Sequence, residues 1–106
     1  MPRARGAALV DACAKVADGS LVLDAGSDRA EAVAALQAVR GIGPWTAGYV
    51  AMRALGDPDV FLPSDLGVRH ALAALGADFT PRSAAVLAEA WRPWRSYALH
   101  HLWASL

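Results

Sequence analysis

Apolar residues recur at three- and four-residue steps along most of the chain, the spacing that gathers them on one helical face. Leu9, Val10, Cys13 and Val16 predict a first helix over residues 3–17, closed by Gly19. Residues 20–27 read as a loop, with a short extended piece at Leu21-Val22-Leu23. A second helix begins at Ser27 or Asp28. Asp28 precedes Glu31 by three residues, close to a capping box. This helix runs to about Ala38, and Gly41 marks its end. Pro44, tolerated in a first turn, opens a third helix to about Leu55, which stops at Gly56-Asp57-Pro58. Residues 59–63 form a loop, and Ser64 or Asp65 opens a fourth helix ending at Gly76. Thr80-Pro81 is an N-cap followed by a first-turn proline, and it opens a fifth helix to about Trp91. Arg92-Pro93 breaks that helix, and a last one runs from about Trp94 to the end. Strand-like alternation is confined to the 20–23 region, so the expectation is an all-α fold of about six helices, with no internal repeat and no low-complexity linker.

Composition narrows the chemistry. The 106 residues suit one small domain, and an apolar share of 56% is enough to build a core. The formal net charge is zero and the isoelectric point about 6.8, unlike the high-pI footprint of a strongly basic nucleic-acid binder. Any DNA contact must then rest on backbone amides and a few arginines. Lys15 is the only lysine, so it alone could serve as a lysine nucleophile. Cys13 is the only cysteine, which excludes an internal disulfide, a four-cysteine iron–sulfur cluster and a zinc knuckle within the chain. Its place in the first apolar pattern predicts a small core residue. The apolar runs fall short of the roughly 18–20 residues of a membrane span. Met-Pro-Arg-Ala-Arg has no long apolar stretch directly behind it and makes a poor signal peptide. The expectation is a soluble cytoplasmic protein.

Gly41-Ile42-Gly43 joins the second and third predicted helices through a very short turn. Glycines permit positive φ and close backbone approach, and Ile42 can plug between the two helices. The amides after Gly43 lie at a helix N-terminus, where unsatisfied N–H groups and the helix dipole favour an anion. The same residues also suit an ordinary helix–helix turn with a glycine cap.

Three segments decide between these readings: LQAVRGIGPWTAGYVA (36–51), DVFLPSDLGVR (59–69) and WRPWRSYALHHLW (91–103). Together they resemble the helix-hairpin-helix DNA glycosylases, and most closely the bacterial DNA-3-methyladenine glycosylase II family. The third segment, with its Trp-Arg-Pro-Trp-Arg-Ser-Tyr-Ala-Leu core, makes the alkylpurine branch specific. The resemblance covers Met1 to about Trp103 and places residues 1–106 in the C-terminal part of such a domain, with the hairpin at about 29–55.

The resemblance implies roles for particular residues. Asp65 falls on the family's catalytic aspartate, and it is also a natural N-cap for the helix that follows. Trp45 and Tyr49, four residues apart on one helix face, are either a packed core pair or a wall of the substrate pocket. Trp103 falls on a further pocket aromatic, whereas Trp91 and Trp94 read as structural. Gly41, Gly43 and Thr46 would contact the DNA backbone. No cofactor is required, but backbone carbonyls of Gln37, Val39 and Ile42 match the positions that hold a structural Na+ or K+ at the family hairpin. Arg92 and Arg95 suit phosphate contacts or a solvated surface, and His100 and His101 carry no assignment. In bifunctional relatives of the endonuclease III kind, a lysine stands two residues beyond the second hairpin glycine; here that residue is Trp45. A lyase route lacks its nucleophile, so the expected reaction is monofunctional hydrolysis of the N-glycosidic bond of alkylated purines in double-stranded DNA.

The family also carries an N-terminal β-containing domain and earlier helices that complete the cleft, and these have no counterpart in this chain. Their lack would expose apolar surface, implying self-association or a partner chain. Two other functions stay open: a non-catalytic helix-hairpin-helix DNA-binding module or inactive remnant, and a helical interaction domain with no DNA role.

Overall fold

The computed structural model describes residues 2–24, 26–76 and 79–106; position 25 of the predicted 20–27 loop lies outside them. Among the described residues there are six α-helices and no strand: α1 (Arg3–Asp18), α2 (Arg29–Gln37), α3 (Pro44–Ala54), α4 (Leu66–Ala74), α5 (Pro81–Ala88) and α6 (Arg95–Ala104). A single 3-10 turn, Glu89–Trp91, continues α5 to the predicted end at Trp91. The chain divides into two units, Met1–Gly56 and Asp57–Leu106. Among the described residues, no helix is long and apolar enough to cross a membrane.

In the first unit, α1 ends where Gly19 takes up φ 84°. The predicted extended piece is not a strand. Instead Leu21 is buried, and its N–H donates to the Lys15 carbonyl at 3.1 Å, folding the segment back under α1. Asp28 caps α2 by accepting a hydrogen bond from the Glu31 N–H at 3.0 Å. Helices α2 and α3 then form the hairpin, with Leu21, Leu36 and Ala47 as its core. Ile42 packs against this core, as its position between the two glycines predicts. Arg29 Nη2 donates to the Gly56 carbonyl at 3.4 Å, tying the start of α2 to the end of the unit.

One expectation fails in α1. Cys13 is exposed, as are Leu9, Val10 and Val16. The apolar side of α1 faces an open groove of about 920 Å³, bordered by the hairpin turn and α3. Helical spacing sorts residues onto a face, but it does not determine what that face meets.

In the second unit, the buried side chains include Leu62, Val68, Leu72, Ala84, Ala88 and Leu99, drawn from the first loop and from α4, α5 and α6. Thr80 and Ser83 make a reciprocal capping box at the start of α5, with Pro81 in the first turn. Ser96 is the one polar residue buried among those described. Its hydroxyl donates to the Asp57 carbonyl at 2.7 Å and accepts from the Val60 N–H at 2.8 Å. Its N–H donates to the Pro58 carbonyl at 2.9 Å. These bonds strap the loop that leads toward Asp65 onto the first turn of α6.

Candidate active site

The hairpin turn uses its two glycines differently. Gly41 has φ 95°, and a β carbon there would lie 3.2 Å from the Ala8 Cβ on α1. Both the conformation and the close approach therefore require glycine. Gly43 is extended, with φ −96° and ψ −175°, so positive φ is not its reason. It is the N-cap of α3, has no side-chain cap bond, and opens onto empty space at its Cβ position. Pro44 follows at the first helical position and Thr46 is exposed in the first turn. This end of α3 offers N–H groups and the positive end of the helix dipole.

One turn further along, Trp45 and Tyr49 stack with ring centroids 5.1 Å apart and planes 8° from parallel. The i, i+4 spacing sets this pair. Trp45 remains 39% exposed. Arg53, a further turn on, places its guanidinium carbon 5.5 Å from the Tyr49 ring centroid. Trp45 and Thr46 also border the apolar groove beside α1.

In the second unit, Asp65 is the N-cap of α4, and its Oδ2 accepts from the Val68 N–H at 3.0 Å. The same oxygen accepts from Trp103 Nε1 at 2.9 Å. Residues 38 apart in sequence are thus joined at one atom. His100 meets the Trp103 ring edge-on, with centroids 5.4 Å apart, and its Nδ1 is 2.7 Å from the Ser96 carbonyl. A carbonyl only accepts, so Nδ1 carries the proton in this bond.

The arginines beside this region are engaged within the chain. Arg95 donates through Nε to Asp59 Oδ1 at 2.7 Å and through Nη2 to Oδ2 at 3.3 Å. Arg92 forks onto Glu89 and reaches Asp59 Oδ2 at 3.0 Å. The Arg95 hydrogen bond holds the Asp59 carboxyl below its ordinary value, and the Arg92 hydrogen bond does the same to Glu89. No group of three or more His, Cys, Asp or Glu side chains that could hold a metal ion occurs among the described residues, His100 and His101 included.

Each unit therefore brings together one pair of the expected site residues: Trp45 with Tyr49 in the first, Asp65 with Trp103 in the second. Sequence reasoning missed the contacts of Arg53 and His100, and also the Asp59–Arg95 pair. The Asp59–Arg95 pair joins residues 36 apart and leaves no local pattern, whereas Arg53 stands four residues from Tyr49, and His100 four from Ser96 and three from Trp103, spacings that already share a helix face.

No protein-family model matches the chain. Among curated proteins, the chain is 51% identical over all 106 residues to the "Probable bifunctional transcriptional activator/DNA repair enzyme AlkA" of Mycobacterium tuberculosis. It is 39% identical over 103 residues to "DNA-3-methyladenine glycosylase 2" of Escherichia coli K12. Over 71 residues it is 41% identical to "DNA-3-methyladenine glycosylase" of Bacillus subtilis. The chain is homologous to the DNA-3-methyladenine glycosylase II family. It matches the C-terminal part of the family's length. It spans 21% of the M. tuberculosis relative and 35% of the E. coli one, while 100% and 97% of the chain itself are covered. The hairpin, the α4 cap and the end of α6 all fall within the stretch matched to the M. tuberculosis relative.

Proposed function

We propose that residues 1–106 are the C-terminal part of a helix-hairpin-helix glycosylase domain of base-excision repair. The chain would supply the catalytic aspartate and one pocket wall for hydrolysis of alkylated purine nucleosides, of the 3-methyladenine and 7-methylguanine class, in double-stranded DNA. The observation that carries this reading is the Asp65–Trp103 hydrogen bond at the head of α4, in a chain homologous throughout to proteins named as DNA repair enzymes.

In this reading the damaged nucleotide leaves the stack and its base is held outside the duplex. The alkylated purine is cationic, so electron-rich aromatic faces attract it. Trp45, 39% exposed and stacked on Tyr49, is the expected stacking partner. The bond from C1′ to the purine nitrogen breaks with its electron pair passing to the base, which departs neutral. Positive charge grows on the sugar and is stabilised by the Asp65 carboxylate. Water adds through oxygen to C1′ and gives a proton to the carboxylate or to solvent. The products are free base and an abasic site. Trp45 stands where a lyase would need an amine, so no Schiff base forms there.

Gly41, Gly43 and Thr46 would present the α3 N-terminus to a DNA phosphate. The carbonyls of Gln37, Val39 and Ile42 lie at the C-terminal end of α2 and in the turn; that of Val39 already accepts from the Ile42 N–H at 3.1 Å and would use its second lone pair. Hard oxygen donors of this kind fit Na+ or K+, which would add positive charge beside the phosphate. The open groove beside α1 further supports association with a second copy or a partner chain, and the location would be cytoplasmic.

The test uses duplex DNA containing 7-methylguanine. It is run with the 106-residue chain and with the M. tuberculosis relative carrying this segment in place of its own. The isolated chain should turn over weakly or not at all, and the chimera should release base. Asp65→Asn should abolish release with the fold retained; normal release by that variant would sink the assignment. A second reading, a non-catalytic DNA-binding module, rests on the α3 N-terminus alone. It predicts salt-sensitive binding with no release from either protein.

A further inference from the structure

Gly67 occupies the second position of α4, directly between the Asp65 cap and the Val68 N–H that the cap accepts. Glycine is a poor helix former, and no positive φ excuses it here, since the positive-φ glycines are Gly19, Gly41, Gly56 and Gly76. Its surroundings do. A β carbon at Gly67 would lie 3.0 Å from Asp65 Oδ2, 3.1 Å from Trp103 Cδ1 and 3.3 Å from Trp103 Nε1. Those are the atoms on both sides of the Asp65–Trp103 hydrogen bond. A single methyl group would press on the acceptor oxygen and on the donor ring at once. The indole cannot easily retreat, because His100 packs against it and is itself bonded to the Ser96 carbonyl.

We propose that Gly67 is a positioning residue: its missing side chain lets the Trp103 indole close onto the Asp65 carboxylate at the head of α4. The inference rests on the catalytic reading of Asp65 only for its effect on rate. The geometric claim stands or falls by itself.

The test is made first on the 106-residue chain by NMR. The indole N–H resonance of Trp103 is assigned by its loss in Trp103→Phe, and its response to the carboxylate is set by Asp65→Ala. Gly67→Ala should move that resonance in the same direction as Asp65→Ala. Gly6→Ala, at a helical glycine whose Cβ position is empty, should leave it in place. An unmoved resonance in Gly67→Ala overturns the proposal. Thermal melts give a second, independent reading. Gly67→Ala should lower the melting temperature of the parent chain, with that loss shrinking or reversing in a Trp103→Leu background, where only helix propensity and the carboxylate remain. A rise in both backgrounds would mean that Gly67 is an ordinary poor helix residue, and the proposal fails. In the chimera, Gly67→Ala should cut the single-turnover rate by about a hundredfold at unchanged duplex affinity, the scale on which small misplacements of a reacting group act. A displaced resonance with an undiminished rate would leave the positioning claim intact and defeat the catalytic reading of Asp65.

Discussion

One oxygen of Asp65 serves two donors, the Val68 N–H and the Trp103 indole N–H. Its structural and chemical roles can be separated by substitution. Asparagine keeps an acceptor oxygen for the helix cap and removes the charge, so Asp65→Asn should melt near the parent. Alanine removes the cap as well and should cost about 1 kcal/mol. Denaturant titrations of the two variants check this. A second prediction belongs to Asp59, whose carboxyl is held down first by its hydrogen bond from Arg95. A lowered folded-state value means that the bond stabilises above the unfolded pKa, and that this stability is lost as pH falls through the folded one. Arg95→Ala should therefore cost about 1 kcal/mol at neutral pH, because solvent screens the pair. The gap from the parent should narrow steadily below about pH 4, as read by urea melts across pH.

Among the helices, the hairpin carries the sharpest contrast. Gly41 sits at φ 95° against Ala8, so Gly41→Ala should lose at least about 1–2 kcal/mol from the left-handed conformation alone. Gly43 is extended with nothing near its Cβ position. Gly43→Ala should fold normally and, where a phosphate approaches α3, weaken duplex binding. Paired melts and binding titrations in graded salt would distinguish the two glycines. In the second unit, the exposed Thr80–Ser83 capping box starts α5, and Thr80→Ala should cost about 1 kcal/mol.

At the scale of the whole molecule, the open face of α1 is the surface to test in solution. Leu9 and Val16 border a groove of about 920 Å³, and Cys13 borders it too. A soluble thiol reagent should label Cys13 in the native chain without denaturant, since it is exposed. If the groove drives association, labelling should slow as concentration rises. Leu9→Glu should restore both fast labelling and a monomer mass in sedimentation equilibrium. Concentration-independent labelling and mass in the parent chain would dismiss self-association through this face.

Much of the fold was legible in the residues taken in order. The helix starts at Ser27 or Asp28, Pro44, Ser64 or Asp65, and Thr80, the stop at Gly19 and the Gly41–Gly43 turn follow from caps, proline and glycine, whose effects act within a few residues; the structure settles the two open starts on Asp28 and Asp65. The stacking of Trp45 on Tyr49 follows in the same way, because i, i+4 neighbours share a helix face. The rest was decided by packing. Nothing within four residues of Asp65 says that Trp103 will donate to it, or that Arg95 will grip Asp59 rather than a phosphate. Cys13 fits a core pattern and yet is exposed, because a pattern sorts side chains onto a face without supplying what covers it. Gly67 sharpens the distinction. Read along α4 it is only a poor helix former. Read in three dimensions it is the space that a carboxylate and an indole need in order to meet.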